Sequence, residues 1–210
     1  HRPLAVGILH YYLRALMRTI IASDFDGTLT SRDTLVEFIR FAKGNVRCFL
    51  GFLIYSPLIM LLMLRLYPNY KSKQKLFSYF FRGMSINEFN RLGVEFAASN
   101  RHLLRPGGQE MIRNAQAEGT EVVIVSASID NWVQPFFPGM TVIGTQIEVV
   151  DGHLTGRFLS RNCYGQEKVE RLLQLYPDRA NYYLIAYGDS SGDRRLLEFA
   201  DESHYKPFRQ

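Results

Sequence analysis

Cysteine is scarce in this chain: Cys48 and Cys163 are the only two in 210 residues. They lie on different elements and lack any metal-binding spacing, which argues against a disulfide framework and points to reduced thiols in a cytoplasmic setting. Histidine offers little more. His1, His10, His102, His153 and His204 form no HxxxH or similar pair, so each reads as a surface or boundary residue rather than a ligand. Internal repeats are absent. No nucleic-acid-binding module accompanies the basic residues, so a nucleic-acid partner is not expected.

Long apolar runs are also few. From Cys48 to Leu64 there are 17 residues without a charge, flanked by Arg47 and Arg65. As a single helix that is about 26 Å, slightly short of a bilayer core, and Pro57 interrupts it. Three readings are open: a buried helix forming the core of a small lobe, an interfacial segment on anionic lipid, or a transmembrane span, which the length and Pro57 disfavour. Pro3 to Ile8 is too short for a convincing signal peptide. Because Met17 immediately precedes the first strand, residues 1–16 are read as an N-terminal extension without an assigned role.

Positive charge is concentrated in one place. Between residues 31 and 104 there are eleven Lys and Arg against four Asp and Glu, whereas the whole chain carries only +5. The basic character therefore belongs to this segment. Apolar residues beside clustered Lys and Arg suit an anionic membrane surface, and Lys71, Lys73 and Lys75 read as a basic flank of that surface, apart from any chemistry.

Acids at strand ends carry the chemistry. Thr19-Ile20-Ile21-Ala22-Ser23 is short and β-branched, reads as a buried strand, and runs into Asp24-Phe25-Asp26-Gly27-Thr28. Glu121 to Val125 delivers Ser126, and Tyr183 to Tyr187 delivers Gly188-Asp189-Ser190-Ser191-Gly192-Asp193. In an open parallel α/β sheet the carboxyl ends of the strands form the ligand crevice. Lys168 opens a helical pattern between the last two. Like charges about 4 Å apart repel by roughly 4 kcal/mol at an effective dielectric near 20, so clustered Asp24, Asp26, Asp189 and Asp193 call for a cation. Oxygen-only ligands favour Mg²⁺.

After Thr30 the α/β rhythm gives way to helical periodicity, including a capping-box pattern at Ser85-Ile86-Asn87-Glu88. The expected architecture is an α/β core, residues 17–30 and 105–210, with an all-helical cap, residues 31–104, inserted after the first strand. The core resumes with a helix from Pro106 to Glu118, and the Asp151-Gly152 pair reads as a hairpin turn.

This ordered set, DxDGT, a strand ending in Ser, a lone Lys and GDSxxD, resembles the haloacid dehalogenase superfamily, with its Rossmann-like parallel sheet flanked by helices. The inserted cap resembles that of its phosphoserine-phosphatase-like branch, subfamily IB. The resemblance implies a Mg²⁺-dependent phosphomonoester hydrolase with Asp24 as nucleophile, forming an aspartyl-phosphate, and Asp26 as general acid/base. It implies that Ser126 and Lys168 hold phosphoryl oxygens, that Asp189 binds Mg²⁺ with Asp24 and the Asp26 backbone carbonyl, and that Asp193 supports Lys168 or the metal site. Asp33 occupies the place of a Glu that meets the substrate amino group in phosphoserine phosphatases, and GDSSGD replaces their usual GDGxND. Both departures weigh against an amino-acid substrate. The apolar cap and the segment from Asn162 to Val169 look nearer to the phosphatidylglycerophosphatase C type.

The substrate expected is a phosphorylated small molecule or lipid, with the cap at an anionic membrane surface and the protein peripheral at its inner face. The alternatives are a soluble small-metabolite phosphatase and, outside the class, a non-catalytic membrane-docking protein on a hydrolase fold.

Overall fold

The computed structural model describes residues 17–63 and 69–209. The extension at residues 1–16 and the end of the apolar run at Leu64 lie outside these residues. Strand β1 (Arg18–Ser23) is buried along its last four residues, because Ile20, Ile21 and Ala22 meet helices on both sheet faces. Next come α1 (Thr34–Lys43), α2 (Asn45–Ile54), α3 (Ser56–Met63), α4 (Asn69–Phe81), α5 (Ile86–Ser99) and α6 (Pro106–Ala117). Then follow β2 (Glu121–Ile129), the short α7 (Asp130–Val133), β3 (Thr141–Thr145), β4 (Ile147–Val150), β5 (His153–Phe158), α8 (Gln166–Leu175), β6 (Tyr182–Gly188), α9 (Arg194–Phe199) and β7 (Glu202–Tyr205).

The sheet has the order β3-β2-β1-β6-β7 with every pair parallel. The expected α/β class holds. β4 and β5 form a separate antiparallel pair, whose turn places both Asp151 (φ 49°) and Gly152 (φ 75°) in the left-handed region, the conformation that a two-residue hairpin turn demands.

Leaving the sheet after Thr30, the chain re-enters it at Arg105, where a bridge pairs Thr30 with Leu104 and the Arg105 amide donates to Leu29 O at 2.7 Å. The intervening helices share an aromatic core. Phe38 of α1 touches Phe81, Phe89 and Phe96 and stacks on Trp132 of α7 at 4.8 Å. Trp132 comes from the sheet side, so this core also ties the lobe to the strands. Ser85 caps α5 by accepting from Glu88 N, half of the reciprocal box that its sequence suggests.

α2 and α3 behave differently. They divide the apolar run at Tyr55, with Pro57 in the first turn of α3, where an absent N–H removes no helical bond. Of α2 only Cys48 and Gly51 are buried, Gly51 because Phe80 of α4 packs where a Cβ would stand. Val46, Phe49, Leu50, Leu53 and Ile54 are 46–73% exposed, and Met60 of α3 is 63% exposed. The reading of the run as a fully buried core helix is therefore corrected: the helices are too short and too weakly packed to cover it. Among the described residues no helix is long and apolar enough to cross a membrane.

Candidate active site

Parallel strands β1, β2 and β6 bring their carboxyl ends together, and the side chains there follow from strand register. Ser23 pairs with Ile124 and with Tyr187, and the Asp24 amide continues the ladder to Tyr187 O at 2.9 Å. Asp24, Ser126 and Asp189 are thereby set on adjacent strand ends. One cavity of about 410 Å³ is lined by Asp24, Asp26, Asp33, Ser126, Lys168, Asp189 and Asp193. All seven residues singled out from the sequence meet there.

At its floor lies a buried charge triad. Lys168, 1% exposed, donates to Asp24 Oδ1 at 2.5 Å, Asp193 Oδ1 at 2.6 Å and Val125 O at 2.7 Å. An ammonium has three N–H donors, so Lys168 is fully engaged here. Burial alone would lower its pKa, but Asp24 and Asp193 outweigh that and hold it above the ordinary lysine value. Burial pushes Asp24 up to about 7, against the pull of Lys168. Asp193 is opposed by burial too, yet Lys168 and hydrogen bonds from Ser190 keep it below the usual carboxylate range. Its second oxygen gathers Asp189 N, Ser190 N and Ser190 Oγ at 2.8–3.1 Å, which shapes the loop presenting Asp189.

Asp26 points the other way. Its carboxylate accepts from Thr34 N at 2.7 Å and from Ser128 Oγ at 2.5 Å. Thr34 is itself held by Trp132 Nε1 at 3.1 Å, so the aromatic core positions this acid. Burial and the nearby Asp33 raise the Asp26 pKa, with Ser128 and Lys73 opposing. Asp33 lines the cavity and also caps α1 by accepting from Leu35 N. Between the acids, Gly27 has φ 83°, and a Cβ there would stand 2.6 Å from Asp189 Oδ2; only glycine allows this approach.

Carboxylate oxygens of Asp24, Asp189 and Asp193 lie within 4.8 Å of one another. This all-oxygen donor set fits a hard divalent cation such as Mg²⁺. Asp193 is already committed to Lys168 and the 189–190 amides, which leaves Asp24 and Asp189 as the available carboxylates. Asp189 also accepts from Thr28 Oγ1 at 3.3 Å and pairs with Arg209.

Several partners escape the motif reading. Ser128 lies in the irregular end of β2, where pairing with β3 shifts register between Val125 and Ile129 and the Ser128 amide donates to Ser126 Oγ at 3.0 Å, so strand alternation does not point to it. Arg209 carries no signal either. The larger correction concerns Lys73, read from sequence as basic flank: it lines the cavity and donates to Ala127 O at 2.8 Å, whereas Lys71 and Lys75 are exposed.

A family model described as haloacid dehalogenase-like hydrolase matches residues 21–198. Protein CicA of Caulobacter vibrioides (strain NA1000 / CB15N) is 35% identical over 196 residues, covering 90% of this chain and 86% of that one. A phosphoserine phosphatase of Idiomarina loihiensis is 36% identical over 104 residues, 45% of this chain and 46% of its own. Among solved structures, a protein of unknown function from Bordetella pertussis Tohama I superposes with a TM-score of 0.78 at 20% identity, covering 89% of each chain. With strand order, acid placement and the family match in agreement, the chain belongs to the haloacid dehalogenase-like hydrolases.

Proposed function

We propose that this hydrolase is a Mg²⁺-dependent phosphomonoesterase working through an aspartyl-phosphate on Asp24, and that its substrate is an amphipathic or lipid phosphate. The observation that carries the chemistry is Asp24, buried at a strand end between Lys168 and the acid pair Asp189 and Asp193, with Asp26 in the same cavity. A carboxylate oxygen of Asp24 attacks phosphorus and the ester oxygen leaves, taking a proton from Asp26. Asp26 then takes a proton from the water that cleaves the acyl phosphate. A carboxyl raised by burial suits a group that must hold a proton near neutral pH. The Ser126 hydroxyl would receive a phosphoryl oxygen, and Asp193 keeps Lys168 in place. Asp24, Asp189 and the Asp26 carbonyl would hold Mg²⁺, which would supply neutralisation of the acids and the phosphate.

The similarity to a phosphoserine phosphatase supports the phosphoryl chemistry. Chelation is therefore expected to abolish turnover of octyl phosphate and added Mg²⁺ to restore it. Ca²⁺ should inhibit, because its larger and looser shell misaligns the acids. Full activity in excess chelator would remove the metal from the mechanism, and preferred turnover of phosphoserine would replace the lipid reading by the soluble-metabolite one.

The lipid reading, which includes the phosphatidylglycerophosphatase C type, is supported by the exposed apolar side chains of α2 and α3 beside exposed Arg47 and Lys71. Phe52 of α2, Leu58 of α3 and Tyr55 between them line the cavity, so the apolar face is continuous with its wall. The expected result is co-sedimentation with anionic but not neutral vesicles, released by salt as the attraction is screened within about 8 Å. Replacing Leu53 and Ile54 by Ser should remove binding at unchanged thermal midpoint, since both are more than half exposed. A monodisperse protein that ignores anionic vesicles speaks for a soluble substrate.

A further inference from the structure

We infer that Ser72 and Lys73, adjacent on α4, are the substrate-reading pair of this site, and that they select monoesters whose alcohol carries oxygens close to the ester bond. The inference rests on the phosphomonoesterase reading and deepens it. Ser72 is 7% exposed and lines the cavity, and its hydroxyl has no hydrogen-bond partner among the described residues. A buried hydroxyl left without a partner is unfavourable, so a bound polar group is its natural complement.

Lys73 gives the second, independent indication. Its Nζ donates to Ala127 O at 2.8 Å, the residue directly after Ser126, which puts the ammonium at the phosphate end of the cavity. No second hydrogen bond engages it among the described residues. Two of its three donors are therefore unassigned, whereas Lys168 has none to spare. Burial lowers the Lys73 pKa while Asp26, Asp33 and Asp24 support its charge, so the ammonium sits inside the site and not on the lobe's surface.

What these groups meet follows from the rest of the wall. Leu35, Phe52, Leu58 and Leu76 form an apolar side beside the ring of Tyr55, while Asn162, Tyr164 and Ser190 are polar, and the cavity of about 410 Å³ has room for an organic group well beyond a phosphate. An alcohol with a hydroxyl or ester oxygen beside the phosphate and an apolar chain beyond it satisfies both halves. A simple alkyl phosphate satisfies only the apolar half.

The test compares octanoyl lysophosphatidate with octyl phosphate, which match in chain length and differ in the glycerol and ester oxygens. Wild type should prefer the lysophosphatidate. Lys73→Gln should lower its kcat/KM about tenfold more than that of octyl phosphate, Ser72→Ala should shift the ratio in the same direction by less, and Lys73→Arg should recover most of it. If Lys73→Gln lowers both substrates equally, Lys73 only balances the charge of Asp26 and Asp33, and the inference is overturned. Absence of a wild-type preference overturns it as well. Should neither ester be hydrolysed, the phosphatase reading fails separately, and calorimetric binding of the same two esters decides: a ratio that moves with Lys73→Gln supports the pair, and an unmoved ratio or no binding rejects it.

Discussion

Asp24→Asn is expected to abolish phosphatase turnover, by roughly 10⁴-fold or more, because it removes the atom proposed to bond to phosphorus. The fold should survive, since Asn is isosteric and still accepts from Lys168. Stability gives a second readout with a definite sign. Burial raises Asp24 from 3.8 to about 7, so in metal-free protein ionising this group opposes folding, and stability declines as pH rises from about 4 through 7. The Asn variant lacks that decline. In chelator its thermal midpoint should change less over this range and lie no lower than wild type at pH 7. Added Mg²⁺ should raise the midpoint of wild type more than that of the variant, which has lost a ligand. Turnover of Asp24→Asn within tenfold of wild type would rule out covalent catalysis by Asp24.

Much of this site is legible because parallel strands deposit their next residues on one edge. Asp24, Ser126 and Asp189 each follow or end an apolar run, and runs of that kind can hardly be anything but central strands. Lys168 and Asp193 are legible only through their spacing, and their hydrogen bonds show why both are needed: one ammonium serves two acids. The acid Asp26 is visible too, but its support by Ser128, Thr34 and Trp132 depends on tertiary packing between segments about a hundred residues apart.

Lys73 shows a different kind of miss. Lys71, Lys73 and Lys75 look like one basic patch in a linear sequence, yet residues two apart point to opposite sides of a helix while residues four apart share one. Lys71 and Lys75 accordingly lie outside and Lys73 inside. The apolar run fails for a related reason. Its composition fits a buried helix or a lipid-facing one equally, and only the packing of α2 on α4 through Gly51 and Phe80 decides which side chains are covered.

Lys168→Met should damage both catalysis and stability, the latter in a pH-dependent way. Without the ammonium, Asp24 and Asp193, each nearly buried, face one another uncompensated. Breaking a buried pair from one side costs about 3–5 kcal/mol, which for a chain of this size is roughly 6–20 °C in midpoint. In wild type Asp193 is held below its ordinary value, so it contributes stability above the unfolded pKa that is lost only as pH falls through the lower folded one. Removing Lys168 takes away the counter-charge that opposes burial at both acids, so Asp24 moves further up, and the penalty grows as pH rises through 7 and fades toward pH 4. Chemical denaturation in chelator at pH 7 and pH 4.5 reads the difference directly. Adding Asp193→Asn to Lys168→Met should restore much of the stability by removing one stranded charge, while activity stays lost because Asp24 lacks its counter-charge. A Lys168→Met variant less than 1 kcal/mol below wild type at pH 7, with a deficit independent of pH, would show that the triad's charges are balanced by something other than Lys168.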